Sequence, residues 1–493
     1  MMLSIGHRPY RRRTGKTIVG YLLCYSTVVS SCRSGGFNSH STRGSRCTTT
    51  AAFTTTIGTR RLSDNPHGVI QPSSQQLWLS STSSSPVKLS YEALTEAIGD
   101  AYQQRETDGI LELAGTAVSL SDYDLDDIVY ASLEAVNNSK GKAAGILNGW
   151  IGACCRMDDA EEGGSLAWSL LNTYEDTQSS TGLSPDIVTY SLAHTALARV
   201  QQKNNQLLAD MVLERATRSS KKKGRGKHRR SLAASRRKSS TAVATDIVDR
   251  LNGMEVLHET PHVLVLSKPS GIVCAHKRKT TAQRTDPSVV DTLLRYNVPL
   301  SSLNPESRGL VHRIDRGTSG CLVVAKTEPA HAQLVAEFFL RNVGKAYEAV
   351  VYTMPTDETR NGPGGGSLQD NGTIDIPVDK RPAFSSYELL ERYNSRVAKL
   401  QVRTSTGRRH QVRVHCAKGL GSPILLDPIY ADGKLWTDES VFPSAVRSLV
   451  DDPKKQRLML HASSLSIPAF DIDVTAPVPS WWEEAIRGIQ QKG

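Results

Sequence analysis

The run His312-Arg313-Ile314-Asp315-Arg316-Gly317-Thr318-Ser319-Gly320 sets one carboxylate between two arginines among turn-forming residues, and the apolar run Cys321-Leu322-Val323-Val324-Ala325 follows directly. A carboxylate held by guanidinium groups stays ionised and fixed in direction. Those are the requirements of an aspartate that acts as a nucleophile or base. Flanking arginines also suit a substrate that carries phosphates. The stretch reads as a reactive turn mounted on a buried strand, and the plainer alternative is an aspartate that only ties the turn together. His312 leaves an Asp/His hydrolase open, although no nucleophile or oxyanion motif accompanies the pair.

Other runs stand around it in a definite order. Lys268-Pro269-Ser270-Gly271 follows the β-type run Val263-Leu264-Val265-Leu266, a place where Pro fixes φ and Gly allows a tight reversal. Helices are expected near 289–296 and 330–341, and strands near 321–326, 373–378, 386–391 and 398–403. Lys345-Ala346-Tyr347 opens an alternating strand, and Thr406-Gly407-Arg408-Arg409-His410-Gln411-Val412-Arg413-Val414-His415, which resembles a known family's helix motif, sets Arg409 and Arg413 four apart at helical spacing. His410 and His415 are spaced wrongly for two zinc ligands on one helix face. Gly421-Ser422-Pro423-Ile424-Leu425-Leu426-Asp427-Pro428-Ile429-Tyr430 and Leu460-His461-Ala462 come next, and an amphipathic helix at 481–489 closes the chain.

In this order the motifs resemble those of the RluA/RluD-type pseudouridine synthases, written H-R-L-D-x-x-T-S-G, K-P-x-G, K-x-Y, T-G-R-x-H-Q-I-R-x-H, G-x-P-I-x-G-D-x-x-Y-G and L-H-A-x-x-L. Ile314 replaces the first Leu, while Leu426 and Ala431 stand where Gly is usual, the former removing a backbone freedom and putting the loop shape in question. The resemblance spans 254 to 490. It implies an α+β domain on a mixed, largely antiparallel sheet with flanking helices and an RNA cleft. It also implies isomerisation of uridine to pseudouridine in RNA, with no metal and no other cofactor. By the same resemblance Asp315 is the catalytic residue at the flipped-out nucleoside, and Arg413 pairs with it, with Arg408 as the fallback. Tyr347 stacks on the uracil and is placed to help take the proton from C5. Arg313 fills the gap left by the flipped nucleotide. Arg316, Arg408, His410 and Gln411 are further candidates for RNA contact. Whether Asp315 attacks the sugar or acts as a base stays open. The competing function is a non-catalytic RNA-binding or RNA-folding protein built on the same cleft.

Charge and composition divide the remaining chain. Twelve Lys or Arg with no acid in 215–238, and ten with none in 1–63, together outweigh the net charge of +11, so everything else is net acidic. RNA would then be met through an arm and local arginines, not a uniformly basic surface. Residues 1–86 read as a targeting peptide followed by a disordered Ser/Thr-rich segment, basic and hydroxyl-rich as organellar addresses are. The apolar stretch Ile18 to Tyr25 falls short of the roughly 20 residues a membrane span needs. A plastid or mitochondrial, membrane-free and monomeric mature protein is the expectation. Residues 87–217 read as helices throughout, with the hairpin 146–171, the junction Gly182-Leu183-Ser184-Pro185-Asp186 and the restart Ile187-Val188-Thr189-Tyr190. That junction resembles the pentatricopeptide (PPR) repeat, which implies binding of single-stranded RNA, and a plain helical bundle is the alternative. Residues 218–250 read as a disordered basic linker, which could equally be a solvated spacer or a nuclear address, and 251–493 as the catalytic domain. The eight cysteines contain no C-x-x-C pair and read as reduced structural thiols without a metal.

Overall fold

The computed structural model describes residues 88–116, 119–224, 253–276, 288–353, 368–432, 442, 446 and 457–492. The expected targeting segment and most of the expected basic linker lie outside the described residues.

The first part is helical. Helix α1 (Tyr91–Arg105) starts where the Ser90 hydroxyl accepts from the Ala93 N–H, and it buries Leu94 and Ile98. Helices α2 (Thr107–Thr116) and α3 (Leu125–Glu134) follow. α4 (Lys140–Cys154) presents Ile146, Leu147, Trp150 and Ile151 to the core. The acidic stretch around Asp158 begins a helix: the Asp159 carboxylate accepts from the N–H groups of Glu161 and Glu162 at the start of α5 (Ala160–Asp176), an arrangement that satisfies free amides and the positive helix end together. After the short α6 (Gln178–Thr181), Gly182 ends the turn at φ +66, and Asp186 and Thr189 form a reciprocal capping box on α7 (Ile187–Ala198). α8 (Lys203–Gly224) completes a second hairpin. It continues through Lys221, Lys222 and Lys223, so the helix extends beyond residue 217, where the basic linker was expected to have begun.

The second part is one nine-stranded sheet in the order β1-β2-β3-β8-β4-β7-β6-β5, with β9 paired to β8. Its strands are β1 (Glu255–Glu259), β2 (Val263–Lys268), β3 (Ser319–Ala325), β4 (Gly344–Tyr352), β5 (Asn371–Ile374), β6 (Ser385–Arg392), β7 (Val397–Thr404), β8 (Leu460–Ile467) and β9 (Ile472–Thr475). The β3–β8 pair is parallel, through Ser319 with His461 and Gly320 with Ala462, and the other pairs are antiparallel. The α+β class with a mixed, largely antiparallel sheet is therefore present. Helices α9 (Val289–Arg295), α10 (Glu328–Phe339) and α12 (Ser480–Lys492) flank the sheet. Between β7 and β8 the expected helix over 406–415 is not continuous. His410 takes a left-handed φ of +58, a short α11 (Gln411–Val414) follows, and a wider turn continues through His415–Gly419.

Residues 81–493 make up one compact unit. Its two parts share a core, because Leu303, Ala332, Ala336 and Leu340 are buried in the same cluster as Trp150, Leu192 and Leu197, with Phe339 packed against it. Helix α10 therefore covers the sheet with one face and α7 with another. Cys154, Cys155, Cys274, Cys321 and Cys416 are free thiols and all are buried.

Candidate active site

The Asp315 turn is fastened to the neighbouring 268–274 loop. Lys268, fully buried at the end of β2, donates to the carbonyls of Pro269 (2.9 Å), Ile272 (2.9 Å) and Arg316 (3.3 Å). Burial pulls its ammonium down to about 8, with Cys274 and Asp315 acting the other way; three accepting carbonyls are the environment of a charged lysine. Gly271 N–H donates to the Arg316 carbonyl at 2.7 Å, and Arg316 Nε returns a bond to the Gly271 carbonyl at 2.8 Å. Cys274 Sγ adds a contact to the Ile314 carbonyl at 3.4 Å. On the far side of the turn, Gly320 stands at φ +107, and a Cβ there would lie 2.2 Å from the Ala462 carbonyl oxygen. Only glycine lets β3 meet β8 at this point.

The carboxylate is 18% exposed, and Arg413 Nη1 reaches its Oδ2 at 3.3 Å. The rest of that guanidinium is held by Asp427, with Nε to Oδ2 at 2.8 Å and Nη2 to Oδ1 at 2.7 Å. Asp427 is fully buried, and its Oδ1 also accepts from the N–H groups of Ile429 (2.9 Å) and Tyr430 (3.1 Å). The Tyr430 ring lies 5.1 Å from the Arg413 carbon Cζ. One arginine thus bridges a buried anchor and an accessible carboxylate, which fixes the direction of the latter.

His410 completes this side. Its left-handed backbone turns the ring toward Asp315, with Nε2 3.7 Å from Oδ1, while Nδ1 lies 3.1 Å from the Tyr430 hydroxyl. Burial, opposed by the Asp315 charge, holds the imidazole below its usual range, so it is neutral at pH 7. In the tautomer that accepts from Tyr430 at Nδ1, the remaining proton faces Asp315. Tyr347, half-buried on β4, packs against the core cluster that contains Ile314. Burial and then the Asp315 charge push its phenol up to about 12. The phenol is therefore neutral at pH 7 beside the Asp315 charge.

The other expected site residues separate into two groups. Arg313 is exposed beside Asp315. Arg316 is partly buried, and its Nε ties the two turns together. Arg408 is not available to RNA or to Asp315: its Nη2 donates to Glu106 at 2.5 Å, its Nε donates to the Pro382 carbonyl at 2.9 Å, and the side chain is 11% exposed. Gln411 is likewise an internal strut. Its amide donates to the Phe384 carbonyl (2.8 Å) and the Ser385 hydroxyl (3.0 Å), and its oxygen accepts from Thr406 (2.7 Å) and the Arg408 N–H (3.0 Å). The hydrolase alternative fails on geometry, because His312 accepts from the Val323 N–H at 3.0 Å and stacks on Phe338 at 4.7 Å. Asp427, Tyr430 and Lys268 were missed as site residues. Their signal was chemical, namely a carboxylate and a phenol near an arginine and a lysine ending an apolar strand.

The family described as RNA pseudouridylate synthase matches residues 262–418. Ribosomal large subunit pseudouridine synthase D of Xanthomonas campestris pv. campestris is 35% identical over 256 residues, covering 48% of this chain and 70% of that protein. The protein of the same description from Pseudomonas aeruginosa is 32% identical over 228 residues, covering 43% of this chain and 63% of its own length. A solved structure of human RNA pseudouridylate synthase domain containing 4 shares 23% identity at a TM-score of 0.37, covering 50% of this chain and 96% of that one. The chain belongs to the RNA pseudouridylate synthase family.

Proposed function

We propose that this protein converts uridine to pseudouridine in RNA, with large-subunit ribosomal RNA as the first substrate class to test. The observation that supports it is the Asp315 carboxylate, partly exposed and aimed by an arginine that is itself anchored on Asp427. In the reaction the N1–C1′ bond breaks, the uracil turns, a C5–C1′ bond forms, the C5 proton leaves and N1 gains one, so neither oxidant nor reductant is consumed. The uridine must leave its stack first. Asp315 acts at the sugar–base linkage, Tyr347 offers its neutral ring as a stacking surface, and Arg313 meets the RNA beside the vacated position. The helical hairpins support a role in holding RNA, as PPR-like repeats would, and the acid-free N-terminus supports an organellar address.

Tritium release from large-subunit ribosomal RNA transcripts carrying [5-³H]uridine tests the reading. Wild type releases tritium, and Asp315→Asn lowers the rate by more than about 10²-fold while RNA affinity is kept. A protein that only binds or folds RNA would show no tritium release at all, and its RNA-folding activity would be indifferent to Asp315→Asn.

A further inference from the structure

Glu106 follows α1 at φ +54 and ψ −133. A residue with a side chain is strained at that combination of angles, which lies outside the left-handed helical well and is populated chiefly by glycine. Yet this glutamate is 8% exposed, and its carboxylate is taken by two arginines from the sheet domain. Arg381 Nε reaches Oε1 at 2.8 Å, and Arg381 Nη2 and Arg408 Nη2 reach Oε2 at 3.2 and 2.5 Å. The strained backbone and the long reach of the side chain occur at one residue.

Arg408 leads into the segment that ends on Arg413. Its N–H donates to Gln411, whose side chain is pinned to Thr406, Phe384 and Ser385. His410 and Arg413, both facing Asp315, stand on that same segment. Other contacts from the helical part land elsewhere: Asp108 lies 3.5 Å from Arg341, Arg156 donates to the Leu340 carbonyl at 2.6 Å, and Ser220 donates to the Leu303 carbonyl at 3.0 Å.

We propose that Glu106 is a positioning residue for the isomerisation. Through Arg408 it fixes the 406–411 turn, and with it the angle at which Arg413 and His410 meet Asp315. The helical part thereby sets the geometry of the reactive carboxylate without touching the substrate. This rests on the reading of Asp315 as the reacting group.

The test uses the full chain as wild type, Glu106→Gln, Glu106→Gly, Arg408→Lys and Asp315→Asn. Three quantities are measured: tritium release at saturating transcript, RNA affinity, and amide hydrogen exchange. Glu106→Gln should lower kcat about tenfold or more, in keeping with the cost of small misplacements, while KM and RNA affinity hold. Exchange should quicken across 406–413 and stay unchanged in β2 and β3. Glu106→Gly relaxes the backbone, so it should melt no lower than Glu106→Gln yet be equally slow, a split that a merely structural contact would not give. Unchanged kcat, or unchanged exchange at 406–413, overturns the proposal. If the Glu106 variants do not fold, Arg408→Lys decides by the same two readouts, since it keeps the charge and loses the planar fork. If wild type releases no tritium, the reading of Asp315 falls, and exchange alone then judges whether Glu106 holds the turn.

Discussion

Arg413 serves two carboxylates unequally. Asp427 takes two short bonds in a fully buried setting, and Asp315 takes one longer bond at the edge of solvent. The first anchors the guanidinium, and the second is left able to engage a substrate. Asp427→Ala would strand a buried guanidinium, so it should cost about 3–5 kcal/mol of stability in urea unfolding and abolish tritium release. Leu426, beside it, holds φ +65 and is buried. The left-handed backbone costs a side chain roughly 1–2 kcal/mol, while burying a leucine contributes about 1.5–3 kcal/mol, so packing sustains a conformation usually given to glycine. Leu426→Ala loses the packing and keeps the strain. It should therefore be less stable than Leu426→Gly in thermal melts, reversing the usual order of the two. From sequence, Asp315 and its pairing with Arg413 were legible because charge and motif announce them. Asp427 was not, because what marks it is burial and a bond to an arginine fourteen residues away. Arg408 was misread because its partner lies 302 residues earlier, in a region with no motif of its own.

Helix α10 is the element that joins the two parts. Its residues Ala332 and Ala336, with Phe339 and Leu340 just at its end, pack into the core of the helical part. An isolated 250–493 fragment would expose that face. It should bind a hydrophobic dye and melt well below an 88–493 chain. At the other side of β3, Gly320→Ala would set a methyl against the Ala462 carbonyl, and the soluble yield of that variant should collapse. Strands and flanking helices were readable because alternation and three-to-four spacing report which face is buried. The break at His410 was not, because the left-handed turn is imposed by what His410 and Gln411 touch, which local residue types do not report.

Across the whole molecule, buried imidazoles tie stability to pH. Burial holds His194 and His331 down to about 4 and His312 to about 3, against an ordinary 6.5. The unfolded chain protonates these rings at a pH where the folded chain refuses, so their contribution is whole above the ordinary value and is lost as pH falls toward the folded ones. The urea midpoint should drop between about pH 7.5 and about pH 5, and His331→Gln should narrow that drop.

The placing of β8 has a consequence for biogenesis. Residues 460–467 lie between β3 and β4 in the sheet, although both neighbours are made more than a hundred residues earlier. Until that late segment emerges, the ribosome-bound nascent chain carries two unpaired strand edges at its centre, with the reactive turn already synthesised. Such pairings are slow to form and prone to wrong partners while they wait. The sheet that carries the reactive turn is thus incomplete until β8 has been made, and a stop codon shortly before Leu460 would yield aggregates in place of a weakened enzyme.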